Sequence, residues 1–207
     1  MNLTKQTTAE EVNEFIFQQL TAWRDKNPEF TFLTRTNDKV GSRRLANGWW
    51  FHGNQNYVFT SFFKLSGHNH MSRSIGFCVL NLDRKTIEPS IETLVVWPGE
   101  PDAAKVDCYK RIVTEIPGFE EHQTDRYSKK YDADWTVEQA LAFFLKHDYP
   151  KMLAILHEEG FAKEALVTSE EMEQFLAGVK LYREDTGYLK NSHHQSLRTL
   201  VAELDDK

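Results

Sequence analysis

The sequence predicts an α+β fold: an antiparallel, meander-like sheet of about five strands, flanked by an N-terminal helix and a mid-chain helix and followed by a C-terminal set of helices. Two changes of hydrophobic period support this prediction. Apolar residues recur every three or four positions before Pro28, alternate from Phe30 to Trp97, and return to helical spacing after Pro98. Short turns between consecutive strand-like segments favour an antiparallel meander.

The first helix begins at a capping box. Thr8 and Glu11 have the S/T-x-x-E spacing in which each side chain binds the main chain of the other residue. The apolar stripe that follows ends at Pro28 and consists of Val12, Phe15, Ile16, Leu20 and Trp23.

The predicted strands are FTFLTRT, WWFH, NYVFTSFF, IGFCVLNL and TIEPSIETLVVW. We expect a turn at Gly53-Asn54, and an edge position or bulge at Pro89 because proline cannot donate to a strand ladder. In residues 57–63 both faces of the strand are rich in aromatic residues, which predicts burial on both sides. We expect the N-terminal and mid-chain helices on one face, and the C-terminal helices, a ligand or a partner on the other.

The mid-chain helix starts near Pro101 and ends at Pro117-Gly118, with Val106, Tyr109, Ile112, Val113 and Ile116 as its buried stripe. The segment FEEHQTDRYSKKYD is either one more strand or an irregular crossing. Three further capping boxes predict C-terminal helices, at Thr136/Gln139, Thr168/Glu171 and Ser192/Gln195. We divide the chain into a sheet domain, 1–134, and a helical extension packed on it, 135–207, with a single domain as the alternative.

Charge is distributed unevenly along the chain. The 44 residues between Asp38 and Asp83 contain five Lys or Arg and no Asp or Glu, so the remainder carries −11 in a chain whose net charge is −6. A basic, aromatic segment inside an acidic protein is typical of an anion site, although strands are also depleted in acidic residues.

Familiar catalytic and metal-binding motifs are missing from the sequence. It contains no P-loop, no G-x-S-x-G, no C-x-x-C and no H-E-x-x-H, and His68-Asn69-His70 lacks the spacing of an HNH metal fold. We predict a non-catalytic protein without a metal or cofactor.

The sequence also predicts a cytoplasmic location. The N-terminus lacks the apolar run of a signal peptide, and no stretch is apolar enough to span a membrane. The two cysteines are 30 residues apart and lie in apolar patterns, which fits a reduced protein.

The strongest functional signal is the combination of two basic loops with an aromatic sheet. Arginine and lysine in these loops would hold DNA phosphates, and an aromatic slot would take a base turned out of the stack. The predicted nucleic-acid-binding residues are Arg35, Lys39, Arg43, Arg44, Lys64, His68, His70 and Arg73. The predicted aromatic pocket consists of Trp49, Trp50, Tyr57 and Phe59, with Trp50 and Tyr57 as leading candidates. The alternative is that the aromatic residues form core and the loops are solvated.

Part of the chain resembles a known family. The residues that carry the resemblance are Gly48, Trp49, Trp50, Phe51, Gly53 and Asn54, the aromatic strand 57–63, Ile75 and Phe77, and the segment KKYDADWTVEQALAFFLKHD. Over residues 30–148 the sequence is similar to the N-terminal recognition modules of McrB-like, methylcytosine-dependent AAA+ restriction proteins. The resemblance implies a DNA-recognition module, with modified DNA as one candidate ligand, that works with an AAA+ motor and a nuclease subunit in bacterial defence.

Two other classes of function remain open. The protein could be an interaction or regulatory domain that binds through its acidic C-terminal helices, with Glu170, Glu171 and Glu173 exposed. It could also be an unrecognised enzyme whose carboxylates are brought together by the fold. The sequence does not fix the oligomeric state.

Overall fold

The computed structural model describes residues 1–4, 6–35, 48–64, 74–83, 87–97 and 99–184. Within them the protein is α+β, as predicted. Helix α1 (Ala9–Arg24) comes first, followed by strands β1 (His52–Asn54), β2 (Tyr57–Lys64), β3 (Ser74–Leu80) and β4 (Ser90–Val96). Helix α2 (Ala103–Glu115) and strands β5 (Phe119–Gln123) and β6 (Arg126–Lys130) come next. The remaining elements are α3 (Val137–Phe143), a π-helical segment (Phe144–Asp148), α4 (Tyr149–Glu158), α5 (Ala162–Ala165) and α6 (Ser169–Glu184).

All six described strands form one antiparallel sheet in the order β1-β2-β3-β4-β6-β5. The first four follow one another as a meander, and the β5–β6 hairpin joins through β6. The segment FEEHQTDRYSKKYD, for which a single strand was one of two predictions, thus supplies two strands.

Three details of the strand predictions are wrong. Residues 30–35 form no regular strand, although the Leu33 N–H donates to Ser61 O over 2.9 Å. Gly53-Asn54 lies within β1 rather than at a turn; a Cβ on Gly53 would lie 2.2 Å from the Tyr57 carbonyl oxygen, so glycine is needed there for close strand approach. Pro89 immediately precedes β4, an interior strand, and therefore removes no ladder hydrogen bond from it.

One face of the sheet and every described helix share a single hydrophobic core. Phe62 of β2 lies 4.8 Å from Phe144 and 5.9 Å from Tyr149, measured between ring centroids. On the α1 side, Phe17 lies 5.2 Å from Trp50 and 6.3 Å from Phe175 of α6. The core therefore includes side chains from both predicted parts of the chain, 1–134 and 135–207.

The described C-terminal helices do not take the first of the three alternatives expected for the other face, which were these helices, a ligand or a partner. Buried residues of α3–α6 belong to the same core as α1 and α2, not to the opposite face. That opposite face, which we call the second face, has a separate apolar cluster of Phe59, Cys78, Leu94 and Val96. Since side chains alternate along a strand, Phe77 and Cys78 point to different sides of the sheet.

The helix starts follow the predicted capping boxes. In α1 the Glu11 N–H donates to Thr8 Oγ1 over 3.2 Å, and the Thr8 N–H donates to the Glu11 carboxylate over 2.8 Å. Thr136 with Gln139 makes the same reciprocal pair at α3, and so does Thr168 with Glu171 before α6. The box predicted at Ser192/Gln195 lies outside the described residues. No helix in the described ranges has the length and apolar character needed to cross a membrane.

Candidate functional site

Most of the predicted phosphate-binding residues lie outside the part of the chain that the structure describes. These are Lys39, Arg43, Arg44, His68, His70 and Arg73. The main chain of Lys64 is described at the end of β2, and Arg35 is described in full. The described part of the candidate site therefore consists of Arg35 and the residues that flank 36–47 and 65–73, which we call the two basic segments.

Arg35 holds the main chain that leads into β1. Its Nε donates to Trp49 O over 3.2 Å and its Nη2 donates to Phe51 O over 3.1 Å. Its own N–H donates to Trp50 O over 2.7 Å. These bonds fix the half-buried guanidinium against the main chain of residues 49–51.

The residues that flank both basic segments lie beside the C-terminal half of β2. Arg35 and Gly48 flank residues 36–47, and both bond to Trp50, whose N–H donates to Gly48 O over 3.1 Å. Leu33, two residues before Arg35, bonds to Ser61 of β2. Residues 65–73 are flanked by Lys64 and Ser74, which are cross-strand partners in β2 and β3. The two segments that carry the basic residues therefore leave and rejoin the described chain close to one another.

Trp50 lies in the main core. Its side chain is 2% exposed, and its indole ring lies 6.4 Å from Phe175 as well as close to Phe17. The indole N–H donates to the Glu14 carboxylate over 3.0 Å, and the Trp50 main-chain N–H donates to Asn13 Oδ1 over 3.0 Å. Trp50 thus joins the start of the sheet to α1.

The other predicted pocket residues lie on or near β1 and β2. Trp49 and Phe59 are buried, and Phe59 belongs to the cluster on the second face. Tyr57 is half-buried at the rim of that cluster, and its hydroxyl lies 3.0 Å from His52 Nε2. Of the four aromatic residues, Tyr57 is therefore the one whose ring reaches the surface.

A second polar cluster was not found from the sequence. Asp148, at the end of the π-helical segment, accepts from Lys129 Nζ over 2.8 Å and from the Tyr131 hydroxyl over 2.9 Å. The Tyr131 hydroxyl also lies 2.6 Å from Thr93 Oγ1. Burial, and then the charge of Asp148, raises the pKa of Tyr131 well above its usual range, so Tyr131 keeps its proton and remains a donor.

The Asp148 cluster connects β4 and β6 to the π-helical segment rather than facing an open site. Asp148 is 2% exposed, and Lys129 Nζ lies 5.3 Å from the centroid of the Phe143 ring. Single-turn π-helices are frequent at functional sites. In this protein Asp148, which ends the π-helical turn, forms a buried ion pair with Lys129. The available signal was the spacing of Tyr127, Lys129 and Tyr131, which places Lys129 on the core side of β6.

Two of the three acidic residues predicted to bind a partner through α6 instead contact other residues of this chain. Glu173 forms an ion pair with Arg24 and Glu171 closes the capping box with Thr168, while Glu170 is exposed.

Among the described residues, no group of three or more His, Cys, Asp or Glu is placed to hold a metal ion. An open depression of about 520 Å³ lies between α2 and α5, and the Lys105–Glu164 ion pair crosses it at 2.7 Å.

A scan against protein-family models and searches of curated proteins and solved structures find no match for this chain. The resemblance to McrB-like recognition modules therefore stays a prediction.

Proposed function

We propose that this protein is a non-catalytic recognition domain that binds DNA through residues 36–47 and 65–73. The observation that carries the proposal is the shared anchoring of these two segments beside the C-terminal half of β2. Their residues include Lys39, Arg43, Arg44 and Arg73, and Asp38 is the one acidic residue in either segment. Two basic segments anchored together at one place can contact neighbouring phosphates of the same duplex.

Electrostatics decide which ligand fits this surface. The chain as a whole carries −6, so it repels nucleic acid except where positive charge is concentrated. The acid-free span from Lys39 to Leu82 carries +5 and supplies that concentration. Phosphate contacts of this kind position a duplex without reading its sequence.

Base recognition is assigned to the aromatic surface near β1. Tyr57 is the leading residue because its ring is half-buried and its hydroxyl is fixed against His52. A flipped base needs an aromatic face on which to stack and polar groups that reach its edge. Trp50 is enclosed by Phe17 and Phe175, so its part in the proposal is to hold the site against α1.

The cellular setting rests on the sequence resemblance. It suggests modified DNA as the ligand, an AAA+ motor and a nuclease subunit as partners, and bacterial restriction or defence as the process. A cytoplasmic location fits two cysteines that are free and buried.

Fluorescence anisotropy with short duplexes, plain and cytosine-methylated, tests the proposal. Arg43→Glu/Arg44→Glu reverses two charges in the first basic segment. Lys146→Glu/Lys151→Glu is the matched control, because it makes the same two charge reversals at exposed lysines that belong to neither basic segment. We expect the first variant to lose binding at low salt and the control to keep it. Absence of wild-type binding at low salt, or equal losses in both variants, would contradict DNA binding at this place.

The methylated duplex separates two parts of the proposal. Tighter binding to it than to plain DNA, lost in Tyr57→Ala, supports base recognition at the aromatic surface. Equal binding to both duplexes would mean that the protein contacts phosphates only, and would contradict base recognition by Tyr57.

A further inference from the structure

The second face of the sheet is apolar and well buried. Phe59, Cys78, Leu94 and Val96 are 4%, 1%, 7% and 7% exposed. Within the described part of the chain, the hydrophobic side chains packed against this cluster are Tyr57 and Leu80, both on the same sheet. The buried apolar residues of α1 to α6 all belong to the core on the other side.

A bare sheet face does not bury its central residues to this degree. Antiparallel sheets that have one face in water alternate apolar and polar residues, with the polar ones outward. On this face, by contrast, the side chains of Glu92 and Ser128 are also buried, at 6% and 1% exposure. The second face therefore has the character of a surface that another element covers.

The sequence after α6 contains a suitable element. Residues 185–207 follow Glu184, and the spacing of Leu197, Leu200, Val201 and Leu204 predicts an amphipathic helix. The other two long segments outside the described residues, 36–47 and 65–73, have no such stripe. A short amphipathic helix is stable in a protein mainly through the packing of its apolar face.

The length of the connecting chain and the charges on the two surfaces both fit packing of the C-terminal segment on the second face. The seven residues 185–191 span up to roughly 25 Å when extended, more than the ~20 Å of two layer spacings between α6 and the second face. Arg126 and Lys130 are exposed on β6, and their register with Val96 and Glu92 places them on the second face. The end of the chain carries Glu203, Asp205 and Asp206.

We propose that residues 192–204 dock on the second face as an amphipathic helix, with Leu197, Leu200 and Val201 over the cluster of Phe59, Cys78, Leu94 and Val96. The sheet is then a middle layer, with the described helices on one side and the C-terminal segment on the other. This inference concerns the architecture of the chain and does not depend on DNA binding.

The two cysteines provide an internal comparison. Cys78 lies in the second-face cluster, whereas Cys108 of α2 lies in the main core. Burial, followed by the charge of Glu92, raises the pKa of Cys78 well above its usual range, and burial raises the pKa of Cys108 to about 11. Both thiols therefore react slowly with a maleimide unless the layer that covers them opens.

The test compares Leu197→Asp/Leu200→Asp with Thr199→Asp/Ala202→Asp in the full chain. Both variants add two charges three residues apart, the first on the apolar stripe and the second on the opposite side of the predicted helix. Maleimide labelling is followed at each cysteine by peptide mass spectrometry. We expect Cys78 to label at least about tenfold faster in the stripe variant alone, with Cys108 unchanged in both. An unchanged rate at Cys78 would overturn the proposal.

A second measurement covers the case in which the stripe variant unfolds and both cysteines label faster. A photoreactive diazirine amino acid, which needs no reactive thiol on the other side, is placed at position 200, with the same amino acid at position 199 as control. We expect an intrachain link from position 200 to the β3 or β4 peptides that contain Cys78 or Leu94, and little or none from position 199. Failure of position 200 to link, or equal linking from both positions, would overturn the docking proposal.

Discussion

Lys129 of β6 and Asp148 of the π-helical segment form an ion pair of 2.8 Å, with both side chains largely removed from solvent at 12% and 3% exposure. They are 19 positions apart in the sequence, and the pair connects an interior strand of the sheet to the segment between α3 and α4. Tyr131 and Thr93 extend the contact to β4. Because the charges are buried, removing one partner leaves the other without compensation.

Asp148→Asn is therefore expected to lower the free energy of unfolding by about 3 kcal/mol, because the Lys129 ammonium stays buried without its counter-charge. Urea denaturation measures the change. The double variant Lys129→Met/Asp148→Asn should be less destabilised than the single one, since no unpaired charge remains. A single variant within about 0.5 kcal/mol of wild type, as for an exposed pair, would contradict this description of the pair.

Trp50→Ala is expected to cost about 4 kcal/mol of unfolding free energy, because the ring packs in the core against Phe17 and Phe175. Ile87→Ala serves as control, since Ile87 is 43% exposed and should change stability by less than about 0.5 kcal/mol. Chemical denaturation measures both variants. A small effect of Trp50→Ala would instead favour a ring that lines an open pocket.

Gly76→Ala should destabilise the sheet more than Gly160→Ala destabilises the end of α4. A Cβ at position 76 would lie 2.5 Å from Thr60 O and 2.6 Å from the Phe59 ring, so β2 and β3 must separate. Gly160 has φ +80° and open space around it, so alanine there costs backbone strain alone. We expect losses of about 3 and about 1 kcal/mol. Thermal unfolding of both variants measures the order, and the reverse order would contradict the close approach of β2 and β3 at this glycine.

Stability should fall with pH just above the ordinary pKa of a thiol. In the unfolded chain Cys78 and Cys108 titrate near 9.0, whereas in the folded protein burial keeps both thiols protonated. As pH rises from 9 to 10, the unfolded state alone loses these protons, which costs about 1 kcal/mol of stability for each thiol. Cys78→Ala/Cys108→Ala should remove this part of the pH dependence, as urea titrations at each pH would measure. An identical dependence in the variant would show that the thiols are not buried in this way.

Local signals in the sequence predicted the helices well. A capping box such as Thr8/Glu11 or Thr136/Gln139 depends on residues three apart, so its geometry is fixed before any tertiary contact forms. The strands β2, β3 and β4 were equally clear because their apolar runs are long.

Features that depend on distant contacts were harder to predict. Strands β5 and β6 are rich in charged residues, so their sequences gave a weak strand signal although the sheet recruits both. Nothing local to Asp148 indicates that Lys129 and Tyr131 would surround it. For the candidate site, the sequence identified the basic segments, but the burial of Trp50 by α1 and α6 follows from packing alone.

The salt dependence of DNA binding tests the central claim most directly. Affinity for a short duplex would be measured from about 50 to 200 mM salt for wild type, Arg43→Gln and Arg44→Gln. About four phosphate contacts predict a wild-type loss on the order of 100-fold across this range, and each variant should reduce the logarithmic slope by about 0.9. Binding that is independent of salt, or slopes unchanged in both variants, would contradict phosphate recognition by the basic segments.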